Sequence, residues 1–221
     1  MTIKGITIGG MHSWDDLGTV LTDLVIGAPE VQTSYVEVPG RTGDLDLTEA
    51  LIGRAVYRNR TIQMTVQTTK SLSGEKWPTV YENYLSLCHG NKVTIIPDDD
   101  TDYYYVGRGQ ITAHTINGRL QTISASFNCE PYKYKADITT VAKDLTEDYV
   151  TITLYNDHMP VVPEIATDTD CYLIWNDTTY AISAGTWTSL DIELQDGDNI
   201  IQACTASGTG TIVFTWQEGR L

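Results

Sequence analysis

The chain has 221 residues, with 14 Lys/Arg against 29 Asp/Glu and a formal net charge of −15 at pH 7. That length accommodates one large all-β domain or two ordinary ones, each able to bury a hydrophobic core without metal or disulfide staples. Residues 1 to 135 carry 12 Lys/Arg and 15 Asp/Glu, whereas residues 136 to 221 carry 2 and 14; such a surface repels phosphate backbones and anionic membranes and argues against sequence-specific nucleic-acid binding.

The opening MTIKGITIGG holds no apolar core of signal-peptide length, and no run approaches the roughly 20 apolar residues of a spanning helix, so the expectation is a soluble protein made in the cytoplasm with no membrane partner. From Val36 to Leu51 the text reads VEVPGRTGDLDLTEAL. Asp44, Asp46 and Glu49 invite a metal-site reading, but a calcium loop counted from Asp44 puts Glu49 where glycine belongs and Ala55 where the bidentate Glu belongs. Gly40 and Gly43 bracket a chain reversal instead, and Asp46 is placed to cap a short turn of helix through Thr48, Glu49, Ala50 and Leu51.

TIQMTVQ alternates Ile62, Met64 and Val66 with polar residues, the period of a strand with one wet face. GEKWPTVYENYLSLCHG places Trp77, Val80, Tyr81, Tyr84, Leu85 and Cys88 three and four apart. That spacing predicts the one clear helix, with Pro78 in its first turn and Gly90 just past its end. PDDDTD (Pro97 to Asp102) reads either as a solvated hairpin tip or as a hard-cation site. Asn117-Gly118 predicts a hairpin with both turn residues at φ > 0; Asn176-Asp177 and Asp196-Gly197 are weaker signals of the same kind.

The stretch 136–148 is polar and without period, and is read as a linker or crossover between a domain at 1–135 and one at 149–221. At least six strand-like runs follow, as in a small sandwich or jelly roll. In that half Trp175, Tyr180, Trp187 and Trp216 serve either as core or as platforms for sugar stacking, Trp175 and Trp187 being the candidate platforms. Cys88, Cys129, Cys171 and Cys204 stand far apart and read as buried thiols. His12, His89, His114 and His158 are scattered, and neither a metal, a cofactor nor a catalytic constellation can be assembled from local spacing. The chain is therefore read as a non-enzyme.

Taken in order, these motifs resemble the distal tail proteins, or Dit proteins, of long-tailed bacteriophages. The resemblance lies in HSWDDLG with Trp14, VEVPGRTGDLDLTEAL with Pro39, Gly40, Gly43 and Asp46, and YRNRTIQMTV with Arg60. LCHGNKVTIIPDDD with His89 and Gly90, and YYYVGRG with Tyr104, Gly107 and Arg108, complete it. It implies a mostly β protein: an N-terminal β-sandwich or barrel-like ring-forming domain with one helix, followed by a galectin-like β-sandwich. It further implies a structural virion protein, a homo-hexameric ring joining the tail-tube protein to the tail-associated or baseplate hub protein and able to hold a receptor-binding protein. The location implied is the phage tail tip, after assembly in the host cytoplasm. Asp46 is expected to serve as a cap or an ion-pair acceptor, and Arg60 to pair with Asp46 or Asp44, since a half-buried guanidinium needs a carboxylate or carbonyl fork. A lectin-like carbohydrate-binding module is the alternative, because the second half alone suits it.

Overall fold

The computed structural model describes residues 5–50, 53–189 and 191–221. Residues 1–4 and Leu51, on which the leader and short-helix readings drew, lie outside the described residues. The chain divides into two compact units, Met1–Lys133 and Tyr134–Leu221.

The first unit comprises β1 (Ile6–Ile8), β2 (Met11–His12), β3 (Val20–Ile26), β4 (Tyr35–Val36), β5 (Leu45–Asp46), β6 (Arg60–Thr69), α1 (Lys70–Ser73), α2 (Val80–Cys88), β7 (Lys92–Pro97), β8 (Tyr103–Asn117) and β9 (Leu120–Cys129). An antiparallel sheet runs β2-β1-β7-β8-β9-β6-β3, and β4-β5 form a separate small hairpin. Alternation decides the buried face: Ile62, Met64 and Val66 of β6 and Ile123, Ala125 and Phe127 of β9 turn inward. They share one core with Val80, Tyr84 and Cys88 of α2, whose spacing of four puts them on one helical face.

That helix is shorter than its apolar pattern. Gly74–Lys76 forms a 3₁₀ turn, and α2 starts only at Val80. Pro78 explains the break, since it has no N–H with which to continue a hydrogen-bonded ladder. Gly90 follows the helix at φ 82°, the left-handed conformation that ends helices most easily at glycine.

At Asn117-Gly118 the expected hairpin forms with its turn shifted by one residue. Asn117 still pairs with Leu120, so the loop is Gly118-Arg119, with positive φ at Gly118 (61°) and not at Asn117. Glycine alone at the first loop position is the type II′ arrangement.

β10 (Lys133–Lys135) straddles the division, and the second unit continues with β11 (Thr139–Leu145), β12 (Val150–Asn156), β13 (Glu164–Thr167), β14 (Cys171–Trp175) and β15 (Thr178–Ile182). It ends with β16 (Gly185–Thr188), β17 (Gly197–Thr205), β18 (Gly210–Trp216) and β19 (Gly219–Arg220). Sheets β11-β18-β13-β16 and β12-β17-β14-β15 enclose a core of Leu145, Ile152, Leu154, Ile165, Leu173, Ile201, Phe214 and their neighbours, a β-sandwich.

Two readings of this half are corrected. Residues 136–148, read as a linker or crossover, contain a strand of the second sandwich, because β11 pairs with β18 along its whole length, from Thr139↔Trp216 to Leu145↔Gly210. Lys143 stands between the apolar Val141 and Leu145, which hides the strand period. Asp196-Gly197 joins no two-strand hairpin either: among the described residues between β16 and β17 the sheet-type pairing is an isolated bridge, Leu194 to Val161. Asn199 holds that loop, accepting from the Gln195 N–H at 2.8 Å and donating to the carbonyls of Gln195 and Gly197. Asn176-Asp177, by contrast, has both residues at positive φ, 46° and 61°, between the paired Trp175 and Thr178.

Candidate functional site

Between β3 and β6 the chain leaves the sheet and returns after more than thirty residues, and residues 31–44 are exposed throughout. Backbone hydrogen bonds lace the two legs of this arm: Gln32 N donates to Val56 O at 2.7 Å, Leu47 N to Ser34 O at 2.8 Å and Arg58 N to Glu30 O at 2.8 Å. At its tip Tyr35 pairs with Asp46 and Val36 with Leu45. Gly40 (φ 83°) and Gly43 (φ 79°) supply the reversal, beside exposed Pro39. VEVPGRTGDLDL is thus a hairpin.

Asp46 caps a turn and not a helix, since residues 48–50 form no helical ladder. Its carboxylate accepts from Thr48 N at 2.9 Å, and the hydrogen bonds of Thr48 hold its pKa below the ordinary value. Apolar side chains of the arm face water: Val31, Tyr35, Val36, Val38, Leu47 and Val56 are all among the exposed large hydrophobics. Leu47 and Val56, with Gln32 and Ala50, line a largely apolar cleft of about 480 Å³.

Arg60 does not pair with Asp44 or Asp46. It is 5 % exposed on the inner face of β6, its guanidinium carbon 5.5 Å from the centre of the Tyr105 ring. Its Nε and Nη2 have no hydrogen-bond partner among the described residues. Because Arg60 alternates with Ile62 and Met64, the strand period sends it into the core and not toward the acidic arm.

The remaining framework residues fasten elements together. Half-buried Trp14 accepts from Gly18 N through its carbonyl at 3.0 Å. In the same HSWDDLG loop, Ser13 Oγ accepts from Ile6 N at 3.1 Å, and Lys76 Nζ donates to the carbonyls of Asp15 and Asp16. His89 Nδ1 accepts from Ile111 N at 3.0 Å, and Arg108 donates to Gly90 O. Gly109 exchanges bonds with this helix end, accepting from Gly90 N at 2.8 Å and donating to Asn91 O at 3.0 Å. A Cβ at Gly109 would strike the Cys88 carbonyl oxygen, and one at Gly107 the Cys129 sulfur, so both glycines of YYYVGRG let other groups approach the strand closely. Tyr104 is half-buried beside them on β8.

The acidic run at Pro97–Asp102 is the tip between β7 and β8. Asp98 Oδ2 accepts from Gly5 N at 2.6 Å and lies 3.3 Å from His12 Nε2, while Asp100 pairs with Lys133 at 2.6 Å. The four cysteines are buried and free. Burial pushes Cys88 up to about 11 and Cys129 up to about 12, far from the thiolate needed for reactivity.

In the second unit Trp175 and Trp187 do not form one platform. Trp175 is 6 % exposed in the core of its sheet, and Trp187, 46 % exposed, belongs to the other sheet and donates to Ser183 O at 2.7 Å.

Sequence reasoning missed a charged cluster there. Asp157, 4 % exposed, accepts from His158 Nδ1 at 2.6 Å and from Arg220 Nε, while Asp196 takes His158 N at 2.8 Å. Asp157, His158 and Asp196 present ligand-type atoms within 4.8 Å of one another, but Arg220 already supplies the counter-charge to Asp157. No local signal joins residues 157, 196 and 220. A second feature, a cleft of about 540 Å³, is lined by Asp191, Glu193, Asp198, Asn176 and Ile200 beside Trp175.

No protein-family model and no curated protein matches the chain. Its fold does have a solved counterpart, and that fold is the one of phage distal tail proteins. The crystal structure of the Dit protein (gp 19.1) of phage SPP1, described as a paradigm of the hub adsorption apparatus in Gram-positive infecting phages, matches over 100 % of both chains with a TM-score of 0.68 at 16 % identity. No helix among the described residues is long and apolar enough to cross a membrane.

Proposed function

We propose that this chain is a structural component of a long-tailed phage virion. In this reading six copies close into a ring that joins the tail-tube protein to the tail-associated or baseplate hub. The observation that carries the reading is the likeness to the SPP1 hub protein over the full length of both chains. Neither unit alone accounts for a match that spans both.

The arm supports assembly. Six large apolar side chains face water on one excursion, and clustered exposed apolar side chains mark interaction sites. A ring also gives a partner to β3, an edge strand with Val25 and Ile26 exposed, which would otherwise invite uncontrolled pairing. Most of the net charge resides in the second half, so copies that meet through the first unit repel only weakly. The acidic balance also suits a channel through which DNA passes without sticking. The second unit is then free to hold a receptor-binding protein.

The test is the mass of the purified chain across a concentration series, by mass photometry, alone and mixed with its tail-hub partner. The monomer is 24.5 kDa; a species of six copies, or two such rings stacked, is expected. A strict monomer in both preparations overturns the reading.

A further inference from the structure

Tyr134–Leu221 holds three Lys/Arg, namely Lys135, Lys143 and Arg220, against 14 Asp/Glu. Two of the three fasten a single short strand. Arg220 of β19 donates through Nε to Asp157, and Lys135 of β10 pairs with Glu218, the residue just before β19. Both carboxylates are 4 % exposed, and a carboxylate so far from water is stable only beside a cation or donors. Backbone bonds complete the attachment: Lys135 N donates to Glu218 O and Met159 N to Gly219 O, each at 3.0 Å, and Gln217 Nε2 donates to Lys135 O. Apolar packing adds little. Residues 217–221 supply no member of the sandwich core, Leu221 is exposed, and the two sheets of the sandwich do not include β19. The pairs are also crossed, an acid offered to a fixed base and a base to a fixed acid two residues on. Sliding the strand by two residues would set Arg220 against Lys135, so charge fixes its register.

We propose that residues 217–221 form a strap that ion pairs close and protonation opens, while the sandwich stays folded. The groups facing the Asp157 carboxylate are Arg220 from the strap and His158 beside it, whose own N–H is taken by Asp196; Lys135 faces Glu218. Burial acts to raise the Asp157 carboxyl, but the hydrogen bonds from Arg220 and His158 outweigh it and hold the group below its ordinary value. A carboxylate depressed in the closed form favours closure above the ordinary carboxylate value, near pH 4, and ceases to do so as pH falls through its lowered value. Opening withdraws the carbonyls of Glu218 and Gly219 from Lys135 N and Met159 N. Donors bared in this way present a strand edge to an extended chain.

The test is hydrogen exchange read by mass spectrometry on the full chain. Peptides containing Lys135 or residues 217–221 are compared with core peptides around Leu154 and Ile201, each rate normalised to its intrinsic value at that pH. At pH 7 the strap peptides of Asp157→Asn and of Glu218→Gln, which keep side-chain shape, should exchange faster than wild type by about tenfold or more, with the core peptides unchanged. Lys143→Met removes the third cation, on β11, and should leave the strap as in wild type. Wild type itself should show the same local opening below about pH 4, which reads the strap without any variant. The proposal is overturned if both carboxylate variants exchange at the wild-type rate, if Lys143→Met opens the strap equally, or if wild type stays closed down to about pH 2. Core and strap exchanging together would also overturn it, because β19 would then be an ordinary part of the sandwich.

Discussion

At Arg60 a buried guanidinium faces an aromatic ring, with two of its nitrogens unpartnered among the described residues. An unpaired buried charge costs stability, and an apolar side chain of similar length removes that cost while keeping the packing. Arg60→Met is therefore expected to leave the melting temperature of the first unit unchanged or raised, and Arg60→Ala to lower it through the lost contact with Tyr105. Calorimetry on both variants decides, and a large loss in the Met variant would reveal a polar partner. Gly109 is a position of the opposite kind. Since its added Cβ meets backbone, which cannot swing away, Gly109→Ala should cost about 1–3 kcal/mol or more in urea unfolding. Asp157 makes a prediction in pH. Burial alone would raise its carboxyl, but hydrogen bonds from Arg220 and His158 outweigh burial and hold it below the ordinary value. A depressed folded-state pKa contributes stability that is complete above the unfolded carboxylate value, near pH 4, and is lost as pH falls through the folded value. The stability gap between the wild type and Asp157→Asn should thus be constant above about pH 5 and shrink below about pH 4. An unchanged gap down to about pH 2 would show that the carboxylate charge plays no part.

Elements differ in how openly the sequence declares them. Both hairpins with an Asn at the corner form, yet only Asn176-Asp177 places both residues in the left-handed region; at Asn117-Gly118 the strand pairing runs one residue further and leaves glycine to make the turn. Asp177 occupies a conformation that glycine adopts without strain. Asp177→Gly is therefore expected to stabilise the second unit by about 0.5 kcal/mol, read from the urea midpoint, and a destabilised variant would mean that the Asp side chain holds the turn. The C-terminal end of α2 is fixed by side chains distant in sequence: His89, Arg108 and the bare backbone of Gly109 form one junction. The family resemblance singled out His89 and Arg108, but not that they serve a helix-to-strand joint with Gly109. β11 was concealed because Lys143 interrupts its apolar alternation, and the strand exists because β18 offers a complete row of backbone partners.

For the whole molecule the arm is the decisive feature. If its apolar tip seals one copy to the next, Tyr35→Lys with Val36→Lys should abolish the six-copy species while the monomer unfolds at the same temperature, since neither side chain is buried within the chain. Rings that persist at wild-type concentration would move the interface elsewhere. The sequence by itself determined the β class, the location and apolar face of the single long helix, the buried free thiols, and the reading of GDLDLTE as a turn. Each depends on residue type and short-range spacing, which backbone sterics and period convert directly into local structure. Only the tertiary structure decided that Arg60 points into the core, that Trp175 is core while Trp187 faces solvent, and that Asp157 meets Arg220. It also decided that Tyr155 of β12 and Ile200 of β17 stand near each other on one outward face. Those outcomes depend on strand order and register, which bring together residues dozens of positions apart and which no local pattern encodes.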